Sequence, residues 1–436
     1  MDAREHASLA GADSLPVVVI GAGPVGLVSA AHLLARGLRP LVLEAGDAPG
    51  SAVRQWGHIR MFTPWRYVVD PVAATLLDEH GWRHPPADVL PTGRELLDGY
   101  VAPLAAALGE HVRLRTRVVA VSRDGCDRGR GADRESRPFL VRVRDEAGRH
   151  CDRRARAVID ASGTWGTPNP LGASGLPAIG EDAAVAAGNL APALPDVLGA
   201  DRARFAGRTT LVAGSGHSAA NTLIALAQLA REVGSGRVLW AIRRSYASGL
   251  QDASGDPLAA RGQLSADLRS LVAGREVLLV RAFSIERLEP EADGTVTVLG
   301  DTADGPRALR GIDVVVAATG FRPDHSIVSE LRLDLDPVLE APTALAPLID
   351  PESHICSTVP PHGHRELSHR EPGFFIVGMK SYGRAPTFLV TTANEQVRSV
   401  TAALAGDLAA ADEVRLVLPE IGAACRCCAD AVATPA

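Results

Sequence analysis

The sequence predicts an α/β protein made of two doubly wound, three-layer units, with the second unit inserted in the first. Three observations lead to this fold class. A chain of 436 residues is too long for one small core. A hydrophobic content of 46% and 43 glycines suit a globular α/β protein with many tight turns. A strand, a glycine-rich turn and a helix follow one another twice, first from Val17 and again from Thr210.

Composition and charge argue against several classes of function. The formal net charge of −6 gives no basic surface for nucleic acid or anionic lipid. Residues 1–15 carry charged side chains without an apolar core, so we expect a disordered tail rather than a secretory signal. The apolar stretch 15–35 contains Gly23-Pro24, which favours a buried strand, turn and helix over a membrane span. Six cysteines form no disulfide framework in a chain of this length, so we expect a cytoplasmic protein. From the charge and the interrupted apolar stretch, we expect neither nucleic-acid nor membrane partners.

Short apolar runs indicate buried strands, and glycine or polar clusters mark their ends. Residues 50–91 are rich in Trp, His, Arg and Pro and are expected to be irregular, and 123–138 to form a mobile hairpin loop. The predicted strands are 17–20, 41–43, 112–122, 139–144, 157–161, 210–213, 238–242, 312–318 and 374–377. The predicted helices are 26–36, 94–108, one that ends near 231, and 391–404.

The first glycine turn has the spacing Gly21-x-Gly23-Pro24-x-Gly26. Gly21 permits the tight turn, and Gly23 lets the backbone approach a pyrophosphate. Gly26 lets helix and strand pack closely, with the helix N-terminus facing the anion. Glu44 ends the next strand, close to the distance at which an acid holds a ribose hydroxyl. The pattern predicts a dinucleotide site in a Rossmann-like domain.

The second turn repeats this logic from Gly214 to Ala219, with Ala219 in place of the third glycine. The following strand ends in Arg243 and Arg244 instead of an acid. Arginine can pair with a ribose 2′-phosphate, whereas an acid would repel it, so NADPH is favoured over NADH. The alternative is that both arginines are solvated surface charges.

At these residues the chain resembles the two-dinucleotide flavoprotein superfamily, and within it the flavin-containing monooxygenases. The resemblance extends from about residue 16 to 406. A closer resemblance is to flavin-binding monooxygenases encoded in bacterial arsenic-resistance gene clusters. It rests on Trp56-Gly57-His58, on 216–222 and on the long stretch 378–389. Met379 follows Gly378 where this superfamily often carries an acid that touches the ribityl chain.

The resemblance implies that FAD is held by 16–165 together with 326–406, and NADPH by the inserted domain 206–325. Residues 407–436 are then a C-terminal tail that carries a cysteine cluster. The segment from Gly378 is expected to hold flavin through backbone groups and the N-terminus of the helix that begins at Thr391. The residues expected to contact the two cofactors are Gly21, Gly23, Pro24, Gly26, Glu44, Ala45, Trp56, Arg60, Val118, Ala161, Ser162, Gly163, Gly214, Gly216, His217, Ser218, Ala219, Arg243, Arg244, Thr319, Gly320, Gly378, Met379, Phe388 and Thr391.

The flavin supplies the redox chemistry, while the protein positions and protects it. A disulfide reductase of this superfamily needs a thiol pair over the flavin, and no Cys-x-x-Cys or Cys-x-x-x-x-Cys lies near either glycine turn. We therefore expect oxygen or an external substrate to accept the electrons. Lys380 is the only lysine in the chain, and its cation is expected to stabilise anionic flavin species. The candidate catalytic residues are Lys380, Tyr382, Arg384, His58, Arg60 and Asn221, each with a structural or surface role as the alternative.

Two groups of cysteine and histidine side chains are candidate ligands for a metal or metalloid, and each has its own interpretation. Cys425, Cys427 and Cys428 could capture a soft metalloid such as trivalent arsenic, or they are idle thiols in a disordered tail. His354, Cys356, His362, His364 and His369 fit no tight metal motif, and polarity of the loop explains them better. No resident metal is expected.

Three hypotheses for the function follow. The preferred one is an NADPH-dependent FAD monooxygenase that oxidises a small soft nucleophile such as a trivalent arsenical, with molecular oxygen as co-substrate. The second is an NADPH-dependent flavin reductase or oxidase that inserts no oxygen. The third is a flavin-bound redox or metalloid sensor with negligible turnover. The sequence leaves open the substrate and whether the chain forms a homo-oligomer.

Overall fold

The computed structural model describes residues 14–131, 133–245, 258–350, 359–385 and 388–416. Within these, the chain divides into two compact units. The first combines the chain up to Thr167 with the chain from Arg322, and the second contains Pro168–Phe321. Several predicted features lie outside the described residues. They are the N-terminal tail up to residue 13, the ligand candidates His354 and Cys356, and the cysteine cluster of the C-terminal tail.

The core of the first unit is a five-stranded parallel sheet with the strand order β16-β7-β1-β2-β3. Its central strand β1 is a run of four apolar residues, and all four are buried, as expected for a parallel strand covered on both faces. Ile20 at its end lies in register with Leu43 on one side and Asp160 on the other. The carboxyl ends of β1, β2 and β7 therefore meet at one edge. The strands are β1 (Val17–Ile20), β2 (Pro40–Leu43), β3 (Val112–Arg113), β7 (Ala157–Asp160) and β16 (Phe374–Ile376).

A second sheet of this unit is antiparallel, in the order β4-β5-β6. It contains β4 (Arg117–Arg123), β5 (Phe139–Arg144) and β6 (His150–Ala155). The helices of the unit are α1 (Pro24–Ala35), α2 (Ser51–Gln55), α3 (Pro71–Asp78), α4 (Gly93–Leu96), α5 (Ala102–Leu108), α10 (Ala346–Ile349), α11 (Val390–Leu404) and α12 (Leu408–Asp412). A π-helical turn, Leu97–Val101, joins α4 to α5, and short 3-10 turns cover Trp65–Tyr67, Gly109–His111, Ser326–Val328 and Gly378–Tyr382.

The second unit repeats the theme with a five-stranded parallel sheet in the order β11-β10-β9-β15-β8 and an antiparallel sheet in the order β12-β13-β14. Its strands are β8 (Leu190–Ala191), β9 (Thr209–Ala213), β10 (Arg237–Ala241), β11 (Val277–Val280), β12 (Ser284–Pro290), β13 (Val296–Thr302), β14 (Gly305–Ile312) and β15 (Val314–Ala317). Its helices are α6 (Glu181–Ala186), α7 (Arg202–Phe205), α8 (His217–Val233) and α9 (Ala259–Ala273). Two parallel five-stranded sheets, each with a strand–glycine–helix unit, confirm the predicted α/β fold class.

The structure differs from the sequence prediction in several elements. Residues 50–91 are not irregular throughout, because Asp70 caps α3 by accepting hydrogen bonds from the amides of Val72 and Ala73. The predicted strand 112–122 is two strands that belong to different sheets. Residues 408–412, expected in the C-terminal tail, form α12, where Asp412 pairs with Arg365 at 2.6 Å.

The segment 123–138 is also more ordered than a mobile loop. Glu371 binds both Arg123 at 2.7 Å and Arg134 at 2.8 Å, and all three side chains are buried. A buried charge needs a charged partner, and each partner here lies more than 200 residues away in sequence. The ion triad therefore fastens the segment to the chain just before β16.

No helix in the described part of the chain is both long and apolar enough to cross a membrane.

Candidate functional site

The three glycines of the first turn occupy three different environments. Gly21 has φ +98°, and a Cβ there would lie 3.0 Å from the Ala161 carbonyl oxygen. A Cβ on Gly26 would lie 2.0 Å from the Gly21 carbonyl oxygen, so only glycine lets the helix pack this closely. A Cβ on Gly23 would meet nothing within 4 Å. Gly23 is also the N-cap of α1, with no side-chain cap, and Pro24 is its first residue.

This arrangement fits the pyrophosphate of a dinucleotide. The first amides of α1 donate to no side chain of the cap residue, and the backbone in front of them is bare at Gly23. Amides at a helix N-terminus attract anions. Glu44 lies beside the turn, where its carboxylate accepts hydrogen bonds from the amides of Ala22 and Gly46, each at 2.7 Å. Ala45, which follows it, is exposed.

On the other side of β1, the carboxyl ends of β7 and β16 hold a buried ion pair. Lys380 Nζ lies 2.7 Å from Asp160 Oδ2, and these side chains are 2% and 0% exposed. The ammonium also donates to Ser162 Oγ at 3.1 Å, and that hydroxyl donates to Asp160 Oδ1 at 2.6 Å. Burial alone would raise the pKa of Asp160, but the charge and hydrogen bond of Lys380 lower it below its usual value. The carboxylate is therefore ionised.

This geometry changes the interpretation of Lys380. The lysine does not face solvent, but neither is it a lone cation, because an ionised carboxylate lies 2.7 Å away. At distances longer than this separation the two charges largely cancel. The residue that sequence reasoning missed is Asp160. A signal was present, since an acid ends an otherwise apolar buried strand.

A second buried network holds the turn that carries Lys380. Gln396 of α11 accepts from the Gly378 amide at 2.9 Å and donates to Ser381 Oγ and to His362 Nε2, both at 2.9 Å. The His362 Nδ1 lies 2.9 Å from the carbonyl oxygen of Pro360. His362 is then neutral with its proton on Nδ1, and burial lowers its pKa. The Gln396 side-chain oxygen thus holds the amide of Gly378, which has φ +71°, while its nitrogen is engaged by Ser381 and His362.

The remaining residues of the 378–391 segment have distinct surroundings. Tyr382 is buried, its ring lies edge-on to Phe388 at a centroid distance of 5.0 Å, and burial raises its pKa so that it stays a neutral phenol. Arg384 is exposed and pairs with Glu340 at 2.8 Å. Met379 is half-buried, and Thr391 lies in the first turn of α11.

The second glycine turn has the same construction. Gly214 has φ +130°, and a Cβ there would lie 2.1 Å from the Ala318 carbonyl oxygen. A Cβ on Gly216, the N-cap of α8, would meet nothing within 4 Å, and no side chain caps this helix. Ala219, which stands in place of the third glycine, is fully buried. His217 and Ser218 are the first two residues of α8.

The other residues predicted for this unit surround the turn. Thr319 donates to the Asn169 carbonyl at 2.6 Å, and Gly320 follows it with φ +86°. Arg243 and Arg244 are exposed just after β10, and Arg243 donates to the Ala173 carbonyl at 3.1 Å. Asn221 donates to the carbonyl of His217 one turn earlier at 2.9 Å, so its amide nitrogen is engaged within the helix.

Four predicted residues lie elsewhere in the first unit. Trp56 ends α2 and packs its ring against Gly93, where a Cβ would lie 2.8 Å from the ring. His58 is exposed. Arg60 is exposed and lies 3.8 Å from Glu95. Val118 is 7% exposed and belongs to the core cluster between β1 and the antiparallel sheet. Their roles toward a cofactor or substrate stay predictions.

The described histidines and cysteines do not converge. His362 binds Gln396, His364 lies 2.9 Å from Asp412, and His369 contacts Asp334. In the described ranges, no group of three or more His, Cys, Asp or Glu side chains is arranged to hold a metal ion. The two described cysteines carry free thiols: Cys126 is buried after β4, and Cys151 is exposed on β6.

Comparisons with known proteins agree with this geometry. Residues 16–71, which contain β1, the first glycine turn and Glu44, match the family model of FAD-dependent oxidoreductases. No curated protein sequence matches the chain significantly.

Solved structures similar to this chain come from both reductases and monooxygenases. Bacillithiol disulfide reductase from Bacillus cereus has a TM-score of 0.66 at 17% identity, covering 90% of this chain and 99% of that one. Thioredoxin reductase from Lactococcus lactis has a TM-score of 0.57 at 16% identity, covering 90% and 98%. A flavin-containing monooxygenase from Stenotrophomonas maltophilia has a TM-score of 0.54 at 25% identity, covering 89% and 99%. The chain thus has the two-dinucleotide flavoprotein fold, and the family match supports FAD-dependent oxidoreductase chemistry.

Proposed function

We propose that this chain is an NADPH-dependent FAD monooxygenase that oxidises a small soft nucleophile, with trivalent arsenicals as the first substrates to test. One observation carries the proposal. Two helices of the same chain begin behind a bare glycine, Gly23 and Gly216, with no side-chain cap, and each follows a buried parallel strand. Two dinucleotides in one oxidoreductase are explained when one of them delivers hydride to the other.

Each cofactor is assigned by the residue after the second strand of its unit. Glu44 follows β2 and suits a ribose hydroxyl, so the first unit takes FAD, in line with the family match over 16–71. Arg243 and Arg244 follow β10 and are exposed, so they can reach a ribose 2′-phosphate in the second unit. Bound FAD supplies two-electron redox chemistry. The backbone amides of the first glycine turn would hold it.

The thiols favour an external acceptor over an internal disulfide. The described cysteines, Cys126 and Cys151, belong to the antiparallel β4–β6 sheet and its loop rather than to either glycine turn. Oxygen with a small nucleophile is then the acceptor system that we prefer. The preference for a soft nucleophile comes from the resemblance in 378–389. Among the groups near this segment, Lys380 and the neutral phenol Tyr382 are the hydrogen-bond donors proposed for the reacting oxygen.

The experiment is NADPH oxidation by the FAD-loaded protein under air, with and without a panel of trivalent arsenicals, thiols, sulfides and amines. Stimulated consumption of NADPH, together with a product heavier by one oxygen atom labelled from ¹⁸O₂, is the expected result. Stimulation without labelled product, matched by hydrogen peroxide, would replace the proposal with the reductase or oxidase alternative. No NADPH consumption with any substrate would leave the sensor alternative.

The reductase alternative has one specific observation in its favour. The disulfide reductase from Bacillus cereus has a higher TM-score than the monooxygenase from Stenotrophomonas maltophilia, 0.66 against 0.54, although the monooxygenase has the higher identity. A low-molecular-weight disulfide should therefore be included in the panel. Its stoichiometric reduction by NADPH under argon would support a reductase and count against oxygen insertion.

A further inference from the structure

The Asp160–Lys380–Ser162 cluster lies beside the first glycine turn but is not required by the pyrophosphate chemistry of that turn. A Cβ on Gly21 would lie 3.2 Å from Ser162 Cα. A Cβ on Gly378, two residues before Lys380, would lie 3.3 Å from Val25 in the first turn of α1. The cluster therefore contacts the loop on the side of β7 and β16.

The order of the strands determines which half of FAD passes this cluster. In the sheet β16-β7-β1-β2, the turn after β1 receives the pyrophosphate, and Glu44 after β2 suits the ribose of the adenosine half. The other half of the molecule, which starts with the ribityl chain, must then leave the pyrophosphate toward β7 and β16. Ser162 follows β7 and is exposed at that edge.

The hydrogen bonds of Ser162 leave it one specific capability. A hydroxyl has one proton and two lone pairs. The Ser162 proton is used on Asp160 Oδ1 at 2.6 Å, and one lone pair accepts from Lys380 Nζ at 3.1 Å. One lone pair remains, so the side chain can accept a further hydrogen bond but cannot donate one. It suits a hydroxyl group and not a phosphate oxygen.

We propose that Ser162 accepts a hydrogen bond from a ribityl hydroxyl of FAD, and that Asp160 and Lys380 are positioning residues that hold it in this acceptor state. The proposal rests on the proposed function only in that FAD occupies the first unit. Met379, the side chain next to Lys380, carries a thioether, which is only a weak hydrogen-bond acceptor for a ribityl hydroxyl. The buried ion pair supplies the rigidity, because a 0% exposed carboxylate and a 2% exposed ammonium cannot separate without losing their charged partners.

The experiment compares FAD with its 2′-, 3′- and 4′-deoxyribityl analogues, using quenching of flavin fluorescence by apoprotein. Ser162→Ala should raise the Kd for FAD by roughly five- to tenfold, as expected for a neutral hydrogen bond in a partly buried site. For the analogue that lacks the contacted hydroxyl, the variant and the parent should bind equally. Ser162→Thr, which keeps the hydroxyl, should restore affinity.

Asp160→Asn tests the positioning role, with Glu371→Gln as its matched control. Both changes remove a buried carboxylate of the first unit, but the Glu371 triad contacts neither glycine turn. Both should lower the melting temperature. Only Asp160→Asn should raise the Kd for FAD, and it should lose sensitivity to the same deoxy analogue as Ser162→Ala.

Three results obtained with a parent protein that binds FAD would overturn the inference. An unchanged Kd in Ser162→Ala would remove the contact, and an equal loss for FAD and all three analogues would make the serine merely structural. An Asp160→Asn protein that binds FAD and the analogues like the parent would remove the positioning role. If the parent binds FAD but oxidises no substrate, the proposed function fails while the inference stands, and a parent that binds no FAD defeats both.

Discussion

Gly23 allows a substitution whose effects on stability and on cofactor binding have opposite signs. It is the N-cap of α1 with φ −75° and ψ 179°, a conformation open to any residue, and a Cβ there meets nothing within 4 Å. The cap lacks a side-chain hydrogen bond. Gly23→Asp should therefore supply one and stabilise the apoprotein by a few tenths of a kcal/mol.

The same carboxylate should abolish FAD binding. It would use the amides that the pyrophosphate needs and place a negative charge beside it. Two unit charges about 4 Å apart repel by roughly 4 kcal/mol at an effective dielectric constant of about 20. That energy corresponds to roughly a thousandfold rise in Kd.

The measurement pairs thermal unfolding of the apoprotein with titration by FAD. Gly23→Ala is the matched control, since it adds the Cβ without the charge or the cap and should weaken FAD binding far less. A Gly23→Asp protein that retains stoichiometric FAD would show that the pyrophosphate does not bind at this turn. An apoprotein that is destabilised by more than about 1 kcal/mol would refute the open environment assigned to Gly23.

Three further outcomes are expected. Gly26→Ala should destabilise the apoprotein by about 1–3 kcal/mol in denaturant titration, because its Cβ would lie 2.0 Å from the Gly21 carbonyl oxygen; a loss no larger than in Gly23→Ala would contradict this. Arg243→Ala with Arg244→Ala should reduce the preference for NADPH over NADH by roughly ten- to a hundredfold in kcat/KM, whereas an unchanged ratio would assign both arginines to solvent. Burial lowers the pKa of His369 from 6.5 to about 4, so the folded state binds its proton less readily than the unfolded state. Stability should then fall as the pH drops from about 6.5 to about 4, by up to roughly 3 kcal/mol in total, and a His369→Gln protein with the same pH profile would remove His369 as the cause.

The parts of the fold that could be predicted from the sequence have short-range causes. The run Val17–Ile20 is apolar and buried on both faces, and Gly26 is required by its contact with Gly21 only five residues earlier. The fold class follows from two such units. The same locality explains β5, which has the predicted bounds Phe139–Arg144.

The parts that could not be predicted depend on partners distant in sequence. The segment 123–138 has the polar composition of a mobile loop, yet its two arginines are fixed by Glu371, more than 230 residues away. Helix α3 begins in a stretch of Pro, Arg and Trp. The carboxylate of its cap residue Asp70 also lies 3.0 Å from Nε2 of His32 in α1. Neither pairing leaves a periodic signal in the sequence, so composition alone gave the wrong structure.

Lys380 shows where residue chemistry stops being sufficient for a functional assignment. Its uniqueness in the chain and its place after β16 identified it as a candidate, but its role depends on what lies within 3 Å. A lone buried ammonium would stabilise a developing negative charge, whereas an ammonium 2.7 Å from an ionised carboxylate offers mainly a directed hydrogen bond. The third member of the cluster is Ser162, which is exposed and links the buried pair to the edge of the sheet where FAD is proposed to bind. Because the lysine donates to the hydroxyl of Ser162, substitutions of Lys380 and Asp160 should be compared first by their effect on FAD affinity and only then by their effect on turnover.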